Sequence, residues 1–164
     1  MHYLVMLAGA AVAFFAFGMP KQTASHSERM PELAAKHGFN AFEQDLVGLC
    51  MASMARDGIM KPRAYVRVRG RSTRIPVSIP DKCGCVVSEV RGYVPYNDVK
   101  FVRAAVDLAS VYSDSERAIR NVAERNDVSW VRLFAKLQMK QSIRKSCRDG
   151  HRYLTPDEIS AFRS

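Results

Sequence analysis

Residues 81–87 read DKCGCVV, and the two cysteines in this stretch, Cys83 and Cys85, restrict how the chain can be cross-linked. Asp81 suits a helix N-cap, and the apolar run after the cysteines predicts a helix that stops near Gly92. Two residues along an α-helix turn through about 200°, so the two thiols point away from each other and a bond between them is sterically poor. Each cysteine is therefore expected to bond a distant partner.

The partners can only be Cys50 and Cys147, because the chain has four cysteines. Of the three possible connectivities, this geometry favours the two in which the Cys-x-Cys pair bonds Cys50 on one side and Cys147 on the other. Each bond would close a long loop and stabilise the fold by roughly 3–4 kcal/mol in the chain-entropy model. The alternative is a soft-metal site, because Cys50, Met51 and Met54 lie close on one predicted helix and suit Cu(I).

An uncharged apolar segment from Tyr3 to Met19 precedes these cysteines. It is slightly short for a membrane span and long for the apolar part of a signal peptide, so residues 1–20 are interpreted as either a signal peptide or a membrane anchor. An even number of cysteines after an export segment is typical of an oxidising compartment, where thiols form disulfides. We therefore expect a periplasmic or secreted protein, either free or anchored in the inner membrane.

The rest of the chain predicts one mainly α domain, because about 140 residues suit a single core. Residues 21–30 are polar without an apolar period and predict a linker, which leaves the helical domain at 31–164. Asn40 with Glu43 forms a capping-box pattern at the start of the first helix, and Thr155 with Glu158 forms another at the last. Between them, helices are expected from Asp81, from Asn97, from Ser113 or Ser115, and in one piece from Ser129 towards Cys147.

One stretch, at about residues 62–80, departs from the helical period. Residues 65–69 alternate in type, Gly70-Arg71-Ser72 can turn, and the chain returns with β-branched residues and Pro76. This pattern predicts a β-hairpin inserted between the first two helices of a disulfide-linked helical domain.

The cysteine pattern also resembles a known group of proteins. The order Cys50, Cys83-Gly84-Cys85-Val86-Val87, Cys147 is similar to that of small secreted helical proteins of proteobacteria, in which a Cys-x-Cys opens a helix between two outlying cysteines. The resemblance covers roughly residues 40–147 and implies a disulfide-linked helical fold without implying an activity. The hairpin before Cys83 departs from the shorter spacing of that group.

Positive charge is concentrated on the predicted hairpin. Lys and Arg outnumber Asp and Glu by 25 to 16, a formal net charge of +9, and no acidic residue occurs between Gly58 and Pro80. This run is the candidate contact surface for an anionic membrane surface or an acidic protein. Its alternative interpretation is a charged edge strand that prevents aggregation. We name its six basic residues the hairpin cations: Lys61, Arg63, Arg67, Arg69, Arg71 and Arg74.

Two further interpretations concern the partner. Tyr65 among the arginines could stack on single-stranded nucleic acid, but an exported protein rarely meets it, so no nucleic-acid partner is expected. A second basic series advances by four residues along the predicted fifth helix and would extend the first surface if the two lay side by side: Arg132, Lys136, Lys140 and Arg144.

Local signatures of catalysis are absent from the sequence. There is no nucleophile elbow, phosphate loop or zinc-protease motif, and His37 and His151 have no acid or nucleophile beside them that would form a catalytic pair. We therefore expect a non-enzymatic exported or membrane-tethered accessory protein without a cofactor. The alternative is a periplasmic enzyme or soft-metal carrier whose site is assembled from distant residues.

Overall fold

The computed structural model describes residues 21–161, with side chains from residue 29 onward, and over this range it is mainly helical. The helices are α1 (Lys21–His37), α2 (Ala41–Arg56), α3 (Ile79–Val90), α4 (Val99–Ser110), α5 (Glu116–Asn126), α6 (Trp130–Phe134), α7 (Leu137–Ser146) and α8 (Pro156–Ala161). Two antiparallel strands, β1 (Arg63–Val68) and β2 (Arg71–Pro76), form the hairpin, and a 3₁₀ turn spans Gly150–Arg152.

The expected signal peptide or anchor at residues 1–20 lies outside the described residues. Within 21–161, no helix combines the length and the apolar character that a membrane crossing requires.

The expected linker is helical from its first residue, because α1 begins at Lys21 and continues to His37. The helix is held at its C-terminal half, where Leu33 is buried in the core and α1 contacts α3. Towards its N-terminus the helix passes Pro31, which has no N–H and leaves one helical hydrogen bond unmade; beyond it, each added residue again gains a hydrogen bond for the loss of only its own freedom. The absence of an apolar period in residues 21–30 therefore did not mean the absence of a helix.

The capping boxes are confirmed at the starts of α2 and α8. Asn40 accepts a hydrogen bond from the Glu43 amide while the Glu43 carboxylate accepts one from the Asn40 amide, each at 3.0 Å. Thr155 and Glu158 make the same reciprocal pair at the start of α8. Ser115 caps α5 by accepting from the Ala118 amide. These helix starts depend only on residues within one turn, which explains why they are readable from sequence.

Two of the expected N-caps are wrong by one to three residues. α3 begins at Ile79 because Ser78, not Asp81, accepts the first free amide, and Pro80 is tolerated in the first turn, where its missing N–H is not needed. Asp81 instead lies within that turn, where its carboxylate accepts the Ser78 hydroxyl. The next helix, α4, is capped by Asp98 through the Phe101 amide rather than by Asn97.

The expected fifth helix is two helices, α6 and α7, separated at residues 135–136. On one continuous helix Leu133 and Met139 would point about 120° apart. Both side chains are nevertheless buried in the same core. The break therefore reorients the chain so that both can reach the core, a requirement set by neighbouring helices.

Helices α3 and α4 lie at the centre of the core. α4 contacts α2, α3, α5 and α7, and α3 contacts α1, α2, α4 and α7. The hairpin has a smaller core of its own, made by Ala64, Val66, Ile75 and Val77, and Tyr153 packs against both cores.

The hairpin turns through two residues, Arg69 and Gly70, rather than through the expected Gly70-Arg71-Ser72. Both have positive φ, +49° and +78°, which gives the tight two-residue connection whose twist matches paired strands. The strands end at Pro76, so the last two residues of the expected 62–80 hairpin belong to α3.

Candidate anion-binding site

Two disulfides cross-link the helices, and one of them ends beside the segment on which the hairpin docks. Cys50 bonds Cys83 with their Cα atoms 5.6 Å apart, and Cys85 bonds Cys147 with their Cα atoms 5.9 Å apart. The expected bonding of the Cys-x-Cys pair to both outlying cysteines is confirmed, and one of its two connectivities is selected. Two intrachain disulfides with no free cysteine are typical of an oxidising environment.

The chain that follows Cys147 provides the docking position for β1. The Tyr65 amide donates to the Arg148 carbonyl at 2.8 Å, and Tyr65 forms a parallel bridge with Asp149. At Gly150 the backbone approaches so closely that a Cβ atom there would lie 2.5 Å from Cγ2 of Val66. The hairpin is therefore fastened to the end of α7, so β1 has partners on both sides.

The six hairpin cations divide between the base and the tip of the hairpin. Arg63 and Arg67 share one face of β1 with Tyr65, and Arg74 joins them because it lies opposite Tyr65 in the register. Arg71 lies opposite Val68 and so belongs to the other face. Arg69 is in the turn and Lys61 lies just before β1. All six are exposed, but the structure does not bring them into one site.

Three of the six line a groove, together with one basic residue that the sequence did not indicate. The groove has a volume of about 480 Å³ and lies between the base of the hairpin and the segment joining α2 to β1. Its basic residues are Lys61, Arg63, Arg74 and Arg148. Arg148 joins them because β1 pairs with its backbone. In the sequence Arg148 lies about eighty residues after β1, so no local pattern could have placed it beside the hairpin.

The groove also has one acid and three large exposed side chains. Asp57 lines it, and its carboxylate accepts a hydrogen bond from the Tyr112 amide at 3.1 Å. Met60, Tyr65 and Tyr112 complete the walls with exposed fractions of 53%, 39% and 53%. The site is thus strongly basic with an apolar rim.

The cations of the groove have no acidic partners within the described part of the chain. No carboxylate there pairs with Lys61, Arg63, Arg74 or Arg148, and the same holds for Arg67 and Arg71 near the tip. The guanidinium of Arg74 lies 6.0 Å from the ring centroid of Tyr65. Its hydrogen bond and charge lower the pKa of the Tyr65 hydroxyl.

The second basic series differs from the hairpin cations, because three of its four members lie against carboxylates. Arg132 pairs with Asp98 at 2.7 Å, and both Lys140 and Arg144 pair with Asp114, at 2.8 and 3.2 Å. Lys140 is fully buried, and that burial lowers its pKa. The sequence had allowed this series to extend the basic surface. In the structure its paired members instead link elements of the fold.

A second buried lysine lies behind the hairpin dock. Lys82 is 7% exposed, and its ammonium donates to the Cys147 carbonyl, which also accepts the Tyr153 hydroxyl at 2.9 Å. Burial, with the positive charge of Arg148, lowers the pKa of Lys82 to about 8. No carboxylate in the described residues pairs with Lys82. Its ammonium group is stabilised instead by the hydrogen bond to the Cys147 carbonyl and by the Tyr153 ring, whose centroid lies 6.0 Å away.

The most strongly hydrogen-bonded carboxylate of the core is Asp107 on α4. It accepts from the Ser53 hydroxyl at 2.6 Å, from the Asn126 amide at 2.9 Å, and from the Arg125 guanidinium at 3.1 Å. These bonds join α2, α4 and α5. Because Asp107 has partners on both oxygens, it resembles a structural link between helices more than a reactive carboxylate.

Neither histidine that the sequence singled out lies in a cavity large enough for a substrate. His37 lines a cavity of about 30 Å³, and burial lowers its pKa. His151 is exposed in the 3₁₀ turn. The proposed Cu(I) ligand Cys50 is bonded to Cys83 and has no thiolate to offer, and residues 21–161 hold no cluster of three His, Cys, Asp or Glu side chains suited to a metal.

No protein-family model, no curated protein and no solved structure matches this chain significantly.

Proposed function

We propose that the protein is a non-enzymatic, exported accessory protein that attaches to an anionic membrane surface through its basic hairpin. The observation that carries this proposal is the set of exposed cations on and beside the hairpin that have no acidic partner in the described chain. Elsewhere many Arg and Lys side chains lie against carboxylates. Unpaired charges at one end of the molecule attract anions, whereas paired ones contribute little field.

A membrane surface is favoured over an acidic protein because apolar side chains accompany the cations. Met60 and Tyr112 are each 53% exposed beside the groove. Basic residues contribute about 1 kcal/mol each near an anionic lipid layer, and tyrosine prefers the boundary between headgroups and acyl chains. Export directed by residues 1–20, as either a signal peptide or a membrane anchor, is part of the same proposal.

The test compares two variants that lose the same charge. Changing Arg67, Arg71 and Arg74 to Gln removes three hairpin cations, and changing Lys36, Arg103 and Arg117 to Gln removes three exposed or half-buried cations elsewhere that also lack acidic partners. Vesicles containing phosphatidylglycerol should bind the hairpin variant about 100-fold more weakly than the wild type. The control variant should lose much less, and both should melt within a few degrees of the wild type because exposed charges contribute little to folding.

Three results would contradict the proposal. Unaltered binding of the hairpin variant would favour the alternative interpretation, in which these cations form a charged strand edge that prevents aggregation. Equal losses in both variants would show that net charge alone matters. Failure of the wild type to bind anionic vesicles would favour an acidic protein as the partner.

A further inference from the structure

The groove at the base of the hairpin is a more specific feature than the charged surface around it. Three arginines and a lysine face one concave space of about 480 Å³, which is within the size range of ligand pockets. From this arrangement we propose that the groove binds the phosphomonoester headgroup of a membrane lipid. The inference rests on the proposed function and names the chemical group that the surface would select.

The charge balance of the groove favours a dianion. Lys61, Arg63, Arg74 and Arg148 bring four positive charges, and Asp57 brings one negative charge. A phosphomonoester carries about −1.5 to −2 at pH 7, so it neutralises more of this excess than a carboxylate or a phosphodiester. Guanidinium groups also match phosphate oxygens with two parallel hydrogen bonds, which gives the groove a preference by geometry as well as by charge.

Elements from three parts of the chain hold these cations in place. Arg63 and Arg74 lie on paired strands, whose register is set by the tight turn. Arg148 is adjacent to the Cys85–Cys147 disulfide, and its carbonyl holds β1 at 2.8 Å. The cations are therefore brought together before a ligand arrives, so less ordering entropy is lost on binding.

The rim of the groove favours a lipid as the source of the phosphate. Met60 and Tyr112 lie at the groove and are exposed. A soluble phosphorylated compound would gain little from such an apolar rim, whereas a membrane lipid would bring an apolar layer against it. When a lipid headgroup enters the groove, these two side chains can contact the upper part of the acyl layer, where an amphipathic surface is stabilised.

The experiment uses the full disulfide-bonded chain and two variants matched in charge. The groove variant carries Arg63→Gln and Arg148→Gln, and the tip variant carries Arg67→Gln and Arg71→Gln. Glutamine removes the charge but keeps an unbranched, polar side chain, and the Arg148 carbonyl that holds β1 is unaffected. Each protein is titrated with vesicles of phosphatidic acid or of phosphatidylglycerol in phosphatidylcholine, with the first lipid at half the mole fraction so that the surface charge is equal. Any contribution of residues 1–20 cancels in the ratio of the two affinities.

The wild type should prefer phosphatidic acid by about 10-fold, the effect of one additional charge-assisted contact. The groove variant should lose this preference, and the tip variant should weaken on both lipids by a similar factor and keep it. A wild type without preference, or a groove variant that keeps it, would overturn the inference while leaving the membrane attachment intact.

A separate result would overturn the lipid assignment together with the proposed function. This is a wild type that binds neither vesicle but in which glycerol 3-phosphate shifts the amide resonances of Tyr65 and Arg148. It would make the phosphate donor a soluble compound.

Discussion

At the scale of single residues, Gly150 holds the hairpin closest to the helices. The nearest atoms to a Cβ at this position would be Cγ2 of Val66 at 2.5 Å and the Tyr65 carbonyl oxygen at 3.0 Å. The φ angle of Gly150 is not in the left-handed region. The glycine is therefore required by space and not by backbone conformation, because one strand of the hairpin occupies the position of its side chain.

Substitution of Gly150 by Ala should loosen the hairpin dock. The added Cβ would overlap a methyl group of Val66, whose branched side chain has little freedom to move, and would press on the Tyr65 carbonyl, so β1 is pushed away; overpacking of this kind costs about 1–3 kcal/mol. The expected results are a lower free energy of unfolding in urea and faster hydrogen exchange at the Tyr65 amide. The matched control is Gly48→Ala on α2, where a Cβ meets no atom within 4 Å and helix propensity should raise stability slightly. Similar stability in both variants would show that the hairpin is not fastened at Gly150.

Lys82 is expected to make stability rise with pH. Its pKa is lowered from 10.5 to about 8 in the folded protein, so between these values the unfolded chain binds more protons, and raising the pH favours the folded state. From pH 8 to pH 10 the gain should be about 2 kcal/mol. Above pH 10 the opposite effect of Tyr153 begins, because burial raises its pKa and the unfolded tyrosine ionises first.

The measurement is urea unfolding of wild type and Lys82→Met at pH 8, 9 and 10. Methionine fills similar space without a charge, so the variant should be more stable at pH 8, and its stability should rise less between pH 8 and pH 10 than that of the wild type. The rise that remains belongs to Lys140, whose pKa is also lowered by burial. A wild type whose stability is flat from pH 8 to 10 would show that Lys82 keeps an ordinary pKa.

At the scale of elements, the two disulfides have different neighbours although both begin in one turn of α3. Cys50–Cys83 joins α2 to α3 within the main core. Cys85–Cys147 joins α3 to the end of α7, directly before the segment on which β1 docks. The second bond therefore determines the position of the hairpin as well as the stability of the helices.

Removing either bond should destabilise the fold, but only one removal should release the hairpin. The sequence separations of 33 and 62 residues predict a loss of about 4 kcal/mol for each double Cys→Ala variant in the chain-entropy model. In the Cys85/Cys147 variant, the Tyr65 amide should also exchange faster than the amides of the helical core under native conditions. In the Cys50/Cys83 variant, the exchange rates of the Tyr65 amide and of the core amides should rise by similar factors. Equal protection of Tyr65 in the two variants would disconnect the hairpin from the second disulfide.

At the scale of the whole molecule, the unpaired cations are concentrated at the end that carries the hairpin. The sequence indicated the concentration of positive charge here, because the run from Gly58 to Pro80 contains no acid. It also indicated a second basic series, three of whose four members proved to be paired with Asp98 or Asp114. A run of basic residues is visible in the sequence, but whether these residues form ion pairs depends on which distant carboxylates the fold places beside them.

The sequence by itself determined the features whose causes are local. These are the helical class, the capping boxes at Asn40 and Thr155, the hairpin, and the inability of Cys83 and Cys85 to bond each other. Each follows from hydrogen bonds, turn chemistry or angular spacing within a few residues. The start of α3 is also set by residues within one turn, but the expected N-cap at Asp81, after Pro80, is wrong, and the N-cap is Ser78.

Only the tertiary structure decided the choice between the two disulfide connectivities, the break between α6 and α7, and the groove itself. Arg148 enters the groove because β1 pairs with the chain after Cys147, and Tyr112 enters it from the end of α4. Contacts of this kind join residues far apart in sequence and are selected by the packing of the whole core. No local pattern carries that information, so the candidate site could be indicated from sequence only as a basic hairpin.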